Sequence, residues 1–143
     1  MKIAVSACLL GENCKYNGGN NRHEWVLRLV EGHEVLPICP EAAGGLPCPR
    51  PPAEIVGERV LNNSGEDVTA AFHLGAETTL QAVRDFGAEL VILKSRSPSC
   101  GTRTVYDGTF SGALVPGQGV AAAMLTAAGF RVINEDEIDT CNL

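Results

Sequence analysis

Three predicted strands of this chain each give way to a loop, rich in Gly and Pro, that carries a cysteine. The cysteines are Cys8 in VSACLLG, Cys39 in LPICPEAAGGL and Cys100 in KSRSPSCGT. Helical patterns separate the strands, and this alternation is typical of a parallel sheet covered on both faces. Parallel strands present their carboxyl ends at one edge, where ligands of open α/β sheets bind. The sequence therefore predicts three thiols close together at that edge.

The wider pattern predicts an α/β fold, a single-domain three-layer sandwich with a mostly parallel, Rossmann-like sheet whose strand-end loops form the site. The predicted strands are 2–8, 34–39, 90–94 and 130–134, and the predicted helices are 23–31, 68–86 and 120–128. The apolar contacts of the first helix are expected to come from Trp25, Leu27, Leu29 and Val30. Asp67 is the expected cap of the second helix, and Phe72, Leu80 and Val83 are expected to face inward.

The connections between these elements carry strong turn signals. Residues 40–52 hold five prolines and two glycines, so we predict an irregular loop there. Residues 55–61 are predicted to form a short hairpin or an edge strand around Gly57, and a small hairpin is predicted to turn at Asp107-Gly108.

Length and charge limit the function. The 143 residues, 45% hydrophobic, suit one domain spanning 1–143, and the net charge of −6 disfavours a nonspecific grip on nucleic acid. No apolar run approaches the length of a membrane span, and only one basic residue precedes Cys8, so neither a membrane helix nor lipidation is expected. We expect a cytoplasmic protein, whose six cysteines serve metal binding, thiolate chemistry or burial rather than disulfides.

The three strand-end thiols suit two kinds of metal centre. One is an iron–sulfur cluster with an open iron, and the other is zinc with an open position. The cysteines lie far apart in the chain, unlike the compact pairs of a zinc ribbon. Lys94 and Arg96 precede Cys100 and are expected to lower the pKa of its thiol.

The other thiols and the histidines have weaker assignments. Cys14 follows Cys8 closely enough to be a fourth ligand or a redox partner, whereas Cys48 is interpreted as incidental and Cys141 lies in the C-terminal tail. None of the three histidines is assigned to the metal; they are His23, His33 and His73.

The segments around the cysteines resemble a known family. VSACLLGENCKYNGG, PICPEAAGGLPCPRPPAEI and LKSRSPSCG are similar to the signature segments of the small bacterial family that includes the thiouracil desulfidases. The resemblance implies a [4Fe-4S] cluster held by Cys8, Cys39 and Cys100, whose fourth iron binds the sulfur of a thiolated pyrimidine. It also implies that Glu41 and Ser97 assist the reaction.

The implied reaction is a non-redox desulfuration, which converts 2- or 4-thiouracil, or the nucleoside, to uracil and sulfide. It needs a soft Lewis acid, an activated water and a proton shuttle. Glu41 is the expected general base or acid, and Ser97 relays a proton or holds the ring. The structural alternatives are a Glu41 that only accepts backbone N–H groups and a Ser97 that only makes a turn. Arg50 is expected to brace the loop through a salt bridge rather than to bind a substrate carbonyl.

Two other functions stay open at this point. One is a non-catalytic metal or iron–sulfur module, which would not need Glu41 or Ser97. The other is a thiol-based phosphatase or arsenate reductase, but the position at which such a loop needs Arg is occupied by Cys14. The substrate is expected to be a small thiolated base, since the acidic charge disfavours a large RNA, and the sequence leaves the oligomeric state open.

Overall fold

The computed structural model describes residues 1–140, with side chains as far as Ile138, so Cys141 lies outside the described residues. The strands are β1 (Lys2–Ser6), β2 (Glu34–Ile38), β3 (Ala53–Val56), β4 (Arg59–Asn62), β5 (Leu90–Leu93), β6 (Thr104–Tyr106), β7 (Leu114–Pro116) and β8 (Val132–Asn134). The α-helices are α1 (Glu24–Val30), α2 (Pro40–Ala43), α3 (Thr69–Phe86) and α4 (Val120–Ala127). Short 3₁₀ helices span Ala7–Leu10 and Glu135–Thr140.

The central sheet is parallel and runs in the order β2-β1-β5-β8. The chain leaves β1 toward β2 on one side and later enters β5 on the other side, so the strand order reverses between β1 and β5. Such a reversal opens a crevice at the carboxyl ends of the two strands. The predicted α/β class is confirmed, and the crevice lies where the cysteine loops emerge.

Successive residues of the central strands face opposite sides of the sheet, and each side has its own core. On one side, the β-strand residues pack against α1; the buried residues there are Ile3, Val5, Leu9, Val26, Val30, Leu90, Ile92, Ile133 and Ile138. On the other side, the sheet packs against α3 and α4; the buried residues there include Ala4, Val91, Leu93, Val83, Ala122 and Leu125. None of the helices in residues 1–140 combines the length and hydropathy needed to cross a bilayer.

Helix α1 meets the core through the expected Val30 and Leu29, but not through Trp25. Trp25 is 61% exposed, and the fully buried residue of the first turn is its neighbour Val26. Val26 and Val30 stand one turn apart on the same helix face, and together they cover the sheet. The small apolar pair fits this face, which leaves the large indole outside.

The second predicted helix is confirmed with a shifted cap. Phe72 and Val83 are buried, and Leu80 packs against the same core, as expected. The residue preceding the helix is Val68, but the Asp67 carboxylate still accepts the N–H of Thr69 at 2.9 Å. Asp67 therefore satisfies the first turn from one position earlier.

Two connections differ from their predictions. The hairpin β3–β4 around Gly57 is confirmed, but β6 and β7 are joined by the long loop 107–113 instead of a tight turn at Asp107-Gly108. The segment 40–52 is not wholly irregular, because its first four residues form α2. Cys39 is extended and Pro40 takes the first helical position, where its missing N–H costs nothing.

Candidate metal centre

The three strand-end cysteines line one cavity of about 600 Å³. Cys8 lies in the 3₁₀ helix that follows β1, and not in the strand as the sequence suggested. Cys39 directly follows β2, and Cys100 lies in the loop after β5. The structure thus brings the three predicted thiols together at the reversal of strand order.

Close packing of two glycines holds the Cys39 loop. A Cβ atom on Gly44 would overlap the carbonyl group of Ala71 in α3, and one on Gly75 would overlap that of Pro40. Helix α2 therefore lies directly against the backbone of α3. This contact fixes the short helix that carries Glu41 next to Cys39.

The loop around Cys100 is fixed by its own hydrogen bonds. The Ser97 hydroxyl oxygen accepts the backbone N–H groups of Ser99 and Cys100, both at 3.1 Å. A Cβ atom on Gly101 would lie 2.8 Å from the carbonyl oxygen of Ser97, so the tight path requires glycine. Ser97 therefore stabilises a turn, which was the purely structural role considered for it from the sequence. The residue also lines the cavity.

Burial makes two of the thiols difficult to ionise. Burial is the main cause that raises the pKa of Cys8, while a hydrogen bond from Asn21 and the charge of Lys94 act in the opposite direction. Burial raises the pKa of Cys100 to about 12, so the lowering expected for this thiol from Lys94 and Arg96 is wrong. Both thiols carry their protons at neutral pH in the metal-free protein. A bound cationic centre would stabilise the thiolates and release those protons.

We expect the metal-free protein to lose stability as the pH rises from 9 toward 12. The Cys100 thiol has a reference pKa of 9.0 and a folded-state pKa of about 12, so above pH 9 the unfolded chain loses a proton that the folded chain keeps. The Cys100 thiol alone then lowers the free energy of unfolding by at most about 1.4 kcal/mol per pH unit. Urea unfolding at several pH values, compared with Cys100→Ala, measures the difference. Equal pH slopes for the two proteins would contradict this account.

Glu41 is held on both oxygens beside the thiols. One oxygen forms a salt bridge with the Arg50 guanidinium at 3.1 Å, and the two side chains are only 15% and 6% exposed. The other oxygen accepts the hydroxyl of Ser99 at 2.8 Å. Arg50 also donates to the carbonyl oxygens of Cys14 and Pro47. The loop-bracing salt bridge predicted for Arg50 is confirmed.

Sequence reasoning missed Ser99. Its hydroxyl contacts Glu41, lies 3.5 Å from the Cys100 sulfur and 2.9 Å from the Ser97 hydroxyl. The hydroxyl groups and the carboxylate thus form one chain from Ser97 through Ser99 to Glu41. The signal was its place directly before Cys100, where a buried hydroxyl must find a partner.

Residues 3–137 match the sequence profile of the 2-thiouracil desulfurase family. The chain belongs to this family. It is 46% identical over 147 residues to the uncharacterized protein YbbK of Bacillus subtilis (strain 168), covering 96% of this chain and 97% of that protein. It is also similar to a solved structure described as the [4Fe-4S]-dependent thiouracil desulfidase TudS. The TM-score is 0.91 with 44% identity, over 97% of this chain and 93% of that chain.

The donor set in this desulfurase-family chain fits a cluster. Among residues 1–140, no group of three or more His, Cys, Asp or Glu side chains is placed to hold a single metal ion. The three thiols line one cavity of about 600 Å³, and thiolates are the ligands of iron–sulfur clusters. A cluster takes one thiolate at each of several irons, so its ligands stand further apart than those of a single zinc ion.

Cys14 lines the same cavity as the three predicted ligands. The Cys39 thiol donates to the Cys14 backbone carbonyl oxygen at 4.0 Å. Burial, followed by the nearby Cys39 and Cys8 thiols, raises the pKa of the Cys14 thiol to about 12. Cys48 is exposed, with its sulfur 3.2 Å from the carbonyl oxygen of Lys15. Within the described residues, no histidine lines the cavity.

Proposed function

We propose that this protein removes sulfur from a thiolated pyrimidine by hydrolysis of a C–S bond, using a [4Fe-4S] cluster held by Cys8, Cys39 and Cys100. Membership of the 2-thiouracil desulfurase family and the 44% identity to a [4Fe-4S]-dependent thiouracil desulfidase support the reaction. The observation that carries the proposal is one cavity lined by three thiols and a doubly anchored carboxylate. The products are uracil and sulfide, with no net oxidation or reduction.

When bound, the cluster supplies a soft Lewis acid for the substrate sulfur through an iron that no cysteine holds. The remaining tasks fall to the protein. As water adds to the ring carbon, the Glu41 carboxylate takes one of its protons and later returns it to the departing sulfur. The second proton of that water leaves to solvent as the ring carbonyl forms, so the products are uracil, hydrosulfide and a proton. The Arg50 salt bridge orients that carboxylate, and the Ser99 hydroxyl keeps its second oxygen in place.

Ser97 contributes the far end of the hydroxyl chain. Its oxygen already accepts two N–H groups, so its own hydrogen is free to point toward Ser99 or toward a bound ring. We assign it to proton relay or ring positioning in the cavity. Glu41 and Ser97 are thus the residues to which we assign catalytic roles.

The two alternatives from the sequence lose support. A carrier module has no use for a carboxylate anchored beside the thiols, and the chain belongs to a family named for an enzyme activity. A phosphatase loop needs a guanidinium where the cavity has Cys14. We retain the cytoplasm as the proposed location. A small thiolated base remains the proposed substrate, because the net charge of −6 disfavours binding of a large RNA.

Anaerobic reconstitution tests the function directly. We expect brown protein with about four iron and four labile sulfide per chain. It should convert 2- or 4-thiouracil to uracil with one sulfide released per turnover. A parallel sample reconstituted with zinc is the control and should be inactive. Colourless protein that binds stoichiometric zinc under the iron conditions would overturn the cluster assignment.

A further inference from the structure

A second wall of the cavity comes from outside the central sheet. Besides the cysteines, the cavity is lined by Glu54 of β3, Tyr106 of β6 and Phe110 of the loop 107–113. The reaction as proposed uses none of these three residues. Because they line the same cavity as the thiols, they are candidates for holding the substrate.

Glu54 ties the loop to β3. Its carboxylate is buried, with the residue 8% exposed, and one oxygen accepts the N–H groups of Gly108 at 2.9 Å and Phe110 at 3.2 Å. Within residues 1–140, no cation forms a salt bridge with Glu54. A buried carboxylate is costly unless hydrogen bonds compensate it, so these two amides are the groups that stabilise it. The loop and the carboxylate therefore depend on each other.

The loop 107–113 adopts a backbone conformation that is unfavourable for one of its residues. Phe110 has φ of +57°, in the left-handed region that residues other than glycine rarely adopt. The Asp107 carboxylate accepts both the N–H and the hydroxyl of Thr109, and a Cβ atom on Gly108 would lie 2.8 Å from the carbonyl oxygen of Ile55. Such a conformation persists only where the surroundings impose it, and it is a common feature of ligand clamps.

The conformation of the loop 107–113 places Phe110 in the wall of the cavity. Phe110 is 39% exposed and lines the cavity, so its aromatic ring has surface available to a ligand. A pyrimidine is a flat ring that stacks on aromatic side chains. We propose that the pyrimidine of the substrate stacks on Phe110 and that Glu54 is the positioning residue that holds Phe110 there. This inference rests on the proposed function and adds the residue that selects a flat ring.

Steady-state kinetics of the reconstituted enzyme on 2-thiouracil test the stacking. Phe110→Ala should raise KM by at least about fivefold, the lower end of a base–aromatic stack, while kcat stays within about twofold. Phe110→Tyr should restore KM, and Phe110→Leu should not, because leucine fills space without offering a ring. Leu114→Ala is the matched control, since Leu114 is exposed on the same hairpin but does not line the cavity. A KM of Phe110→Ala that equals the wild-type value would overturn the stacking.

Hydrogen exchange of the reconstituted enzyme tests the anchor without substrate. Glu54→Ala should speed exchange at the amides of Gly108 and Phe110, whereas Glu54→Gln keeps an acceptor oxygen and should protect them. Glu58→Ala, an exposed carboxylate beyond the end of β3, is the control. If Glu54 acts through Phe110, the double variant Glu54→Ala/Phe110→Ala should have the same KM as Phe110→Ala alone.

The failures of the two proposals are distinguishable. Wild-type holoenzyme that releases no sulfide from any thiolated pyrimidine would overturn the proposed function. Unchanged exchange at Gly108 and Phe110 in Glu54→Ala would overturn the anchor, whatever the activity. The iron content of each variant, equal to that of the wild type, establishes that the fold and the cluster site are intact.

Discussion

Replacement of any one of Cys8, Cys39 and Cys100 by serine is expected to prevent stable assembly of the cluster and to lower desulfidase activity by at least about 100-fold. Each thiol comes from a different strand end and lines the same cavity. Loss of one therefore leaves two anchors for a group that needs three. Serine is close in size to cysteine, so the fold should remain. Iron and labile sulfide measured after anaerobic reconstitution are the primary readout, and far-UV circular dichroism checks the fold.

The remaining described cysteines provide the controls for this result. Cys48→Ser should keep both iron and activity, because Cys48 is exposed and does not line the cavity. Cys14→Ser is the sharper test, since its thiol lies against that of Cys39 inside the cavity. With three thiols as the ligand set, this variant should also load iron normally. Loss of the cluster in Cys14→Ser would mean four protein ligands and no open iron, which contradicts the proposed reaction.

The central sheet and the cysteine positions were predictable because both follow from local patterns. A short apolar run such as LVIL of β5 indicates a strand buried on both faces, and all four of its residues are buried. Parallel strands then bring Cys8, Cys39 and Cys100 to one edge wherever the connecting loops go. The position of each thiol relative to its strand end was sufficient for this step.

The contacts that complete the site were not predictable, because they join residues distant in the sequence. Ser99 meets Glu41 only after α2 has packed against α3 and the third cysteine loop has folded back. The loop 107–113 was expected to be a tight turn at Asp107-Gly108, yet Glu54 captures two of its amides. Neither contact follows from a periodic pattern or a short motif in the sequence.

The salt bridge of Arg50 was predictable, but its partner was not. Arg50, in the PRPP segment, was predicted to brace the loop through a salt bridge. Its partner Glu41, nine residues earlier, emerged only from the path of the loop. That pairing changes the interpretation of Glu41, since a carboxylate held by Arg50 and Ser99 has a fixed direction toward the cavity.

Glu41→Gln is expected to lower kcat by about 100-fold or more while leaving iron content and KM close to the wild-type values. The glutamine oxygen still accepts a hydrogen bond from Arg50 or Ser99, so the loop should keep its path. An amide, however, cannot take a proton from water. The change therefore separates proton transfer from the structural role of Glu41, which is to hold Arg50 and Ser99.

Glu58→Gln is the matched control for Glu41→Gln, because it makes the same chemical change on an exposed hairpin turn. Single-turnover measurements of sulfide release, made on samples with equal iron content, remove any effect of product release. A Glu41→Gln enzyme with wild-type kcat would assign Glu41 to bracing alone. The activation of water would then have to come from another cavity group, and the hydroxyl chain of Ser97 and Ser99 would be the next to test.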